Sequence, residues 1–374
     1  MAGISQSKYL ENLWDVTAAS GMNEADKLLY RSNLLGSDMR VTNYGGGNTS
    51  AKVIESDPLT GDPVEVLWVK GSGGDIGSIK MDGFSTLYME KLLALKGIYR
   101  GPDHEDEMVG YLPHCTFNLN PRAASIDTPL HAFVPRKHVD HVHADAIIAI
   151  AASENSQELT QEVFGDDIGW LPWRRPGFEL GLWLGKFCED NPNARGVVLG
   201  SHGLFTWSDT AEECYAATLE IINRASVWLE NKSEGVASFG GAVCVPLSKE
   251  KRAEFAAKIM PVIRGMIGAD ERKIGNFDDS VATLEFVCSA QLMPLAALGT
   301  SCPDHFLRTK ICPLVIDFDP ANGSVDTAIA GLDAAISSYR DGYTAYYERC
   351  KRDTSPPMRG PNAVVYLIPG VGMI

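Results

Sequence analysis

The segment His141-Val142-His143 constrains this chain more than any other feature. Alternate side chains of an extended strand share a face, so imidazoles at i and i+2 project together. A third histidine follows in Ser201-His202-Gly203, between the short apolar runs Gly196–Leu199 and Leu204–Trp207. A strand carrying His141 and His143 beside a turn carrying His202 closes a three-nitrogen site with one position left open. Such a donor set suits Zn²⁺, or another divalent metal, acting as a Lewis acid on a small oxygenated molecule. His138 lies off the shared face and reads as a surface residue or as a neighbour to the ligands.

A buried site of this kind needs a sizeable core, and 374 residues with 45% hydrophobic and 22% charged residues supply one. The eight cysteines are scattered, with no Cys-x-x-Cys pair, and read as reduced, buried thiols. Thiolate-held zinc is thereby disfavoured. A formal net charge of −15 with no offsetting basic stripe argues against a nucleic-acid partner. No apolar run reaches membrane-spanning length and no signal peptide opens the chain, so the expected setting is cytoplasmic, away from membranes.

Apolar spacing predicts helix over Ser7–Leu35, strand–turn–strand over Val41–Val53, a strand at Val64–Lys70 and a helix from Thr86 to Ile98. Ala132–Ala152 reads as a strand-to-helix transition bearing the histidine pair, and Gly177–Glu189 as a helix. A further helix starts at the cap candidates Ser208-Asp209-Thr210 and runs to about residue 230. A soft boundary falls near 240, dividing 1–240 from 241–374. Beyond it, Lys249–Ile267 and Asp326–Cys350 read as long amphipathic helices, with strands at Thr283–Val287 and Leu314–Phe318. The apolar run Ala363–Ile374 reads as a buried strand that stops abruptly, which suggests a piece of something longer.

Asp127 precedes the histidine pair and reads in two ways. A carboxylate beside an open-site metal can move protons to and from a substrate, whereas Asp127-Thr128-Pro129 also makes a good helix start. Gly45-Gly46-Gly47-Asn48-Thr49-Ser50 and Lys70-Gly71-Ser72-Gly73-Gly74 are glycine-rich turns at strand ends. Either alone is an ordinary turn; two beside a metal site favour phosphate binding by backbone N–H groups. Thr300–Lys310 and Trp173-Arg174-Arg175 gather cations, and both read as solvated or packing segments rather than anion sites.

In this order the pieces resemble the class II aldolase/adducin family: Gly47-Asn48-Thr49-Ser50, Lys70-Gly71-Ser72-Gly73, Asp127, His141-Val142-His143 and His202-Gly203. Ser125-Ile126-Asp127-Thr128-Pro129-Leu130-His131 and His138-Val139-Asp140-His141-Val142-His143 further resemble the aldolase half of bifunctional rhamnulose-1-phosphate aldolase/short-chain dehydrogenase proteins. The resemblance implies a three-layer α/β/α fold around a mostly antiparallel mixed sheet, an α/β extension over 241–374, and a dehydrogenase domain beyond it. It also implies a homo-oligomer, commonly a tetramer, acting on a sugar phosphate. The implied reaction is reversible cleavage of L-rhamnulose 1-phosphate to dihydroxyacetone phosphate and L-lactaldehyde. His141, His143 and His202 would hold zinc, Asp127 would transfer the proton, and Asn48, Ser72, Gly73 and Ser125 would hold the phosphate. Related readings are a fuculose-phosphate aldolase, a pentulose-phosphate epimerase, or a non-catalytic adducin-like module. Simple aldolases of the family carry glutamate where this chain has Asp127, one methylene shorter, and a second serine where it has Ile126.

Overall fold

The computed structural model describes residues 8–42, 46–119, 122–269, 271–353 and 355–374. It divides into two compact units, one ending at Lys232 and one beginning at Ser233.

The first unit is built on seven strands: β1 Asn48–Ser56, β2 Pro63–Lys70, β3 Phe84–Tyr88, β4 His138–Val142, β5 Ile168–Leu171, β6 Gly196–Leu199 and β7 Gly203–Ser208. Their order is β3-β2-β1-β4-β7-β6-β5, and only β5–β6 is parallel. Side-chain alternation gives the sheet two apolar faces. On one, Val142, Val198 and Leu204 pack with Leu35, Ile147, Phe164 and Tyr215, each from a different helix. On the other, Val139, Val197 and Phe205 pack with Leu130, Leu180 and Leu184 of the helices Thr128–Phe133 and Phe178–Asp190. Helix, sheet and helix thus form the three layers expected, with a mostly antiparallel mixed sheet between.

Several elements differ from the sequence reading. Helix over Ser7–Leu35 is broken into Val16–Ala19 and Glu24–Gly36, because Asn23 caps the second one by accepting the amide of Asp26. Val41–Val53 is not a strand–turn–strand; a single strand begins at Asn48, and Asn43–Gly45 lie outside the described residues. The stretch from Thr86 begins as β3, paired with Val66–Lys70 of β2, and turns helical only at Met89. β5 had no clear signal, being short and flanked by turns.

In the second unit the helices Lys249–Ile267 and Val325–Cys350 enclose a core with a three-stranded sheet. Its strands are β8 Leu314–Val315, β9 Tyr366–Ile368 and β10 Gly372–Met373, ordered β10-β9-β8. Phe255, Ile259 and Ile263 meet Leu332, Ile336, Ile316 and Ile368 there. The predicted strand Thr283–Val287 is instead helical, Val281–Val287, because Ser280 caps it by accepting the amide of Thr283. Thr300–Lys310 contains a short helix, Pro303–Thr309. All eight cysteines are free thiols, five of them buried, with Cys350 exposed. Among the described residues no helix is long and apolar enough to cross a membrane.

Candidate metal centre

β4 lies beside β7 with His141 opposite Phe205, and the two rings stack at 4.1 Å between centroids. The Nδ1 of His141 lies 3.0 Å from the Leu204 carbonyl oxygen. A carbonyl only accepts, so Nδ1 carries the proton and Nε2 presents a bare lone pair. His143 sits just past the end of β4, with its Nε2 3.0 Å from that of His141. His202 occupies the β6–β7 turn and brings its own Nε2 to 3.2 Å from His141 Nε2. The turn is tight: Ser201 adopts a left-handed backbone with φ 55°, and its N–H donates to the Ala151 carbonyl. A non-glycine residue held in that region is strained, and such strain gathers where geometry serves function.

All three imidazoles are buried. Burial first, and then the neighbouring His143 and His202, hold His141 well below its ordinary pKa, so it is neutral. Three nitrogens at these separations fit a small divalent cation. Tetrahedral zinc with bonds of about 2.0–2.1 Å sets its ligand nitrogens about 3.3 Å apart. His141, His143 and His202 can therefore hold such an ion together.

Two glycines make room for the centre. A Cβ on Gly203 would lie 2.8 Å from His143 Cδ2 and 2.8 Å from the Val142 oxygen. A Cβ on Gly47, whose φ is +73°, would lie 2.7 Å from the His141 oxygen. Gly203→Ala should therefore push His143 aside at a cost of about 1–3 kcal/mol, which is roughly a ten- to hundredfold loss in zinc affinity. Competition against a chelating dye would measure it; unchanged affinity would remove Gly203 from the site.

Asn48 stands directly across from His141 in the β1–β4 register. Its Nδ2 donates to Asp127 Oδ2 at 2.6 Å, and Ser125 Oγ donates to the same oxygen at 3.4 Å. Ser125 Oγ in turn accepts the Asp127 amide at 3.2 Å. Asp127 does sit at the N-cap of the helix Thr128–Phe133, but its side chain makes no capping bond. The carboxylate is turned to Asn48, one residue from the histidine cluster. Asn48, Ser125 and Asp127 thus form one group, all buried. Ser72 and Gly73 lie apart from it in an exposed turn, tied to the same segment by the Ser72 N–H to the Ala123 carbonyl at 2.9 Å.

His138 is neither a surface residue nor a neighbour to the ligands. It is buried on the opposite face of β4, where parity places positions 138, 140 and 142 together. Burial first, and then the Arg31 charge, lower it to about 3. Neutral His138 accepts from Arg31 at Nδ1 (2.7 Å) and donates from Nε2 to Glu24 (3.1 Å). Arg31 also pairs with Asp140 at 2.9 Å, whose other oxygen accepts from Thr218 at 3.2 Å. Asp140 therefore anchors β4 from behind rather than serving the histidines. Sequence reasoning missed this network because Arg31 and Thr218 come from remote helices. Trp173, Arg174 and Arg175 are all exposed, with the Arg174 guanidinium over the Trp183 ring at 4.1 Å and Arg175 paired with Asp106.

Residues 27–229 match the family model "Class II Aldolase and Adducin N-terminal domain", and residues 254–374 match "Aldolase class II, second domain". The chain belongs to the class II aldolase/adducin family. Within this family it is similar to a Bacillus subtilis (strain 168) protein named "Uncharacterized oxidoreductase YuxG", 39% identical over 366 residues. That match covers 98% of this chain and 52% of the relative, so the chain spans about half the relative's length. Among solved structures it is similar to the N-terminal class II aldolase domain of a conserved Thermoplasma acidophilum protein. The identity there is 35%, the TM-score 0.54, and the coverage 59% of this chain and 99% of that one. The class II aldolase domain of this chain therefore carries a histidine triad able to hold a divalent metal, with a second domain of the same family after it.

Proposed function

We propose that this chain is a metal-dependent aldolase that reversibly cleaves L-rhamnulose 1-phosphate to dihydroxyacetone phosphate and L-lactaldehyde. The observation that carries the reading is the convergence of three buried imidazoles, with His141 Nδ1 tied to Leu204, beside a buried carboxylate. A divalent metal held by His141, His143 and His202 supplies Lewis-acid stabilisation of the charge that gathers on the ketose carbonyl oxygen.

The chain's own groups do the rest. Cleavage breaks the bond between C3 and C4; the C4 hydroxyl yields its proton to solvent and becomes the aldehyde, the bonding electrons pass toward the C2 carbonyl, and the Asp127 carboxylate takes up one proton from solvent. Asp127 then delivers a proton to C3 and completes dihydroxyacetone phosphate; in condensation it removes that proton. Asn48 and Ser125 orient the carboxylate through Oδ2. Asn48 Oδ1, buried and without a hydrogen-bond partner among the described residues, remains available to a substrate hydroxyl. The Ser72 hydroxyl and the Gly73 N–H of the exposed turn, with Ser125, are assigned to the phosphate. The choice of L-rhamnulose 1-phosphate rests on the likeness of Ser125–His131 and His138–His143 to the rhamnulose-phosphate subgroup.

Purified chain supplied with zinc, dihydroxyacetone phosphate and L-lactaldehyde should consume both, and a chelator should stop it. Condensation that prefers a different aldehyde would retain the aldolase and reassign the sugar. None with any aldehyde would refute the reading.

A further inference from the structure

Alternate residues of β1 meet the helix Thr128–Phe133 along its whole length. At its start Asn48 holds Asp127. Two positions on, Ser50 Oγ lies 2.7 Å from His131 Nδ1. Two further on, the Lys52 ammonium donates to the carbonyls of His131 (3.2 Å), Val134 (2.6 Å) and Arg136 (2.7 Å). The last carbonyls of a helix lack partners within it, and a cation there also opposes the negative end of the helix dipole.

So short a helix is marginal by itself; the packing of Leu130 on Leu180 and Leu184 holds it to the core, and these ties add to its placement along β1. Asp127 is bound to its first turn, since its carbonyl accepts the amides of Leu130 (2.9 Å) and His131 (3.3 Å). Any slip of the helix therefore carries the carboxylate with it. His131 is fully buried, and burial first, then the charge of Lys52, keeps it neutral. Its ring packs on Phe205 at 5.4 Å, the same ring on which His141 stacks.

We propose that Lys52, Ser50 and His131 are positioning residues: a ladder from β1 that fixes the Asp127 helix, and so the carboxylate, against the three-histidine centre. The role of Asp127 in this inference rests on the aldolase reading; the ladder itself does not.

Lys52→Met tests it with two readouts on the whole chain. The first is amide hydrogen exchange, expected to quicken over residues 128–134 while 141–143 stay protected and zinc content stays at the wild-type level. The second is enzyme-catalysed solvent deuterium exchange into dihydroxyacetone phosphate. Its kcat should fall about ten- to a hundredfold with little change in KM, the effect of a misplaced reacting group. In an Asp127→Asn background the same substitution should cost nothing more, because it acts through that carboxylate. Unchanged amide exchange, or an equal loss in both backgrounds, would overturn the ladder. A wild-type chain inert toward dihydroxyacetone phosphate would sink the aldolase reading instead, and amide exchange would then decide the ladder alone. Should Lys52→Met fail to fold, Ser50→Ala removes the middle rung and is read in the same way.

Discussion

Replacing His143 by alanine is expected to remove bound zinc and to lower kcat by about a thousandfold or more, because metal stabilisation of the developing charge amounts to several kcal/mol. The expectation follows from the arrangement of the three rings. His141 sits in the middle, with its Nε2 3.0 Å from that of His143 and 3.2 Å from that of His202. Without His143 two nitrogens remain, too few for the four-coordinate site that three protein ligands and a substrate make. The substitution leaves the pairing of β4 with β1 and β7 untouched, so the fold should persist. Metal content and turnover should therefore fall together at near-wild-type melting temperature. Normal turnover in a metal-replete variant would refute the ligand assignment.

Asp127→Asn should leave zinc in place and slow proton exchange on dihydroxyacetone phosphate by about 10²–10⁴-fold, the usual contribution of a positioned acid–base group. The amide matches the carboxylate in shape, and its oxygen can still accept from Asn48 Nδ2 and Ser125 Oγ. What it loses is the capacity to take a proton from carbon. Metal content with exchange thus separates the two variants: His143→Ala loses both, Asp127→Asn only the second. Exchange at the wild-type rate in Asp127→Asn would take this residue out of the mechanism.

The histidine centre was legible because it rests on local rules. His141 and His143 share a face by strand periodicity, and His202 precedes a glycine at a hairpin, where a turn was expected. The long helices Lys249–Ile267 and Val325–Cys350 were likewise visible in their apolar spacing. The misread elements are short ones. Phe84–Tyr88, a five-residue strand with Thr86 at its middle, and Val281–Val287 behind a serine cap offer too few residues for periodicity to choose between strand and helix. His138 shows a different limit. Its parity was readable, but its burial depends on Arg31 and Glu24 of a distant helix. Asp127 kept two readings for the same reason: its cap position is local, whereas its bond to Asn48 spans two segments far apart in sequence.

The most direct test of the account is solvent deuterium exchange into the hydroxymethyl carbon of dihydroxyacetone phosphate, followed by NMR, with no aldehyde present. The wild-type chain should catalyse it, lose the activity on removal of metal by a chelator, and regain it on addition of zinc. Exchange that survives complete removal of metal, or that is absent from zinc-loaded protein, would contradict a three-histidine metal centre working with Asp127.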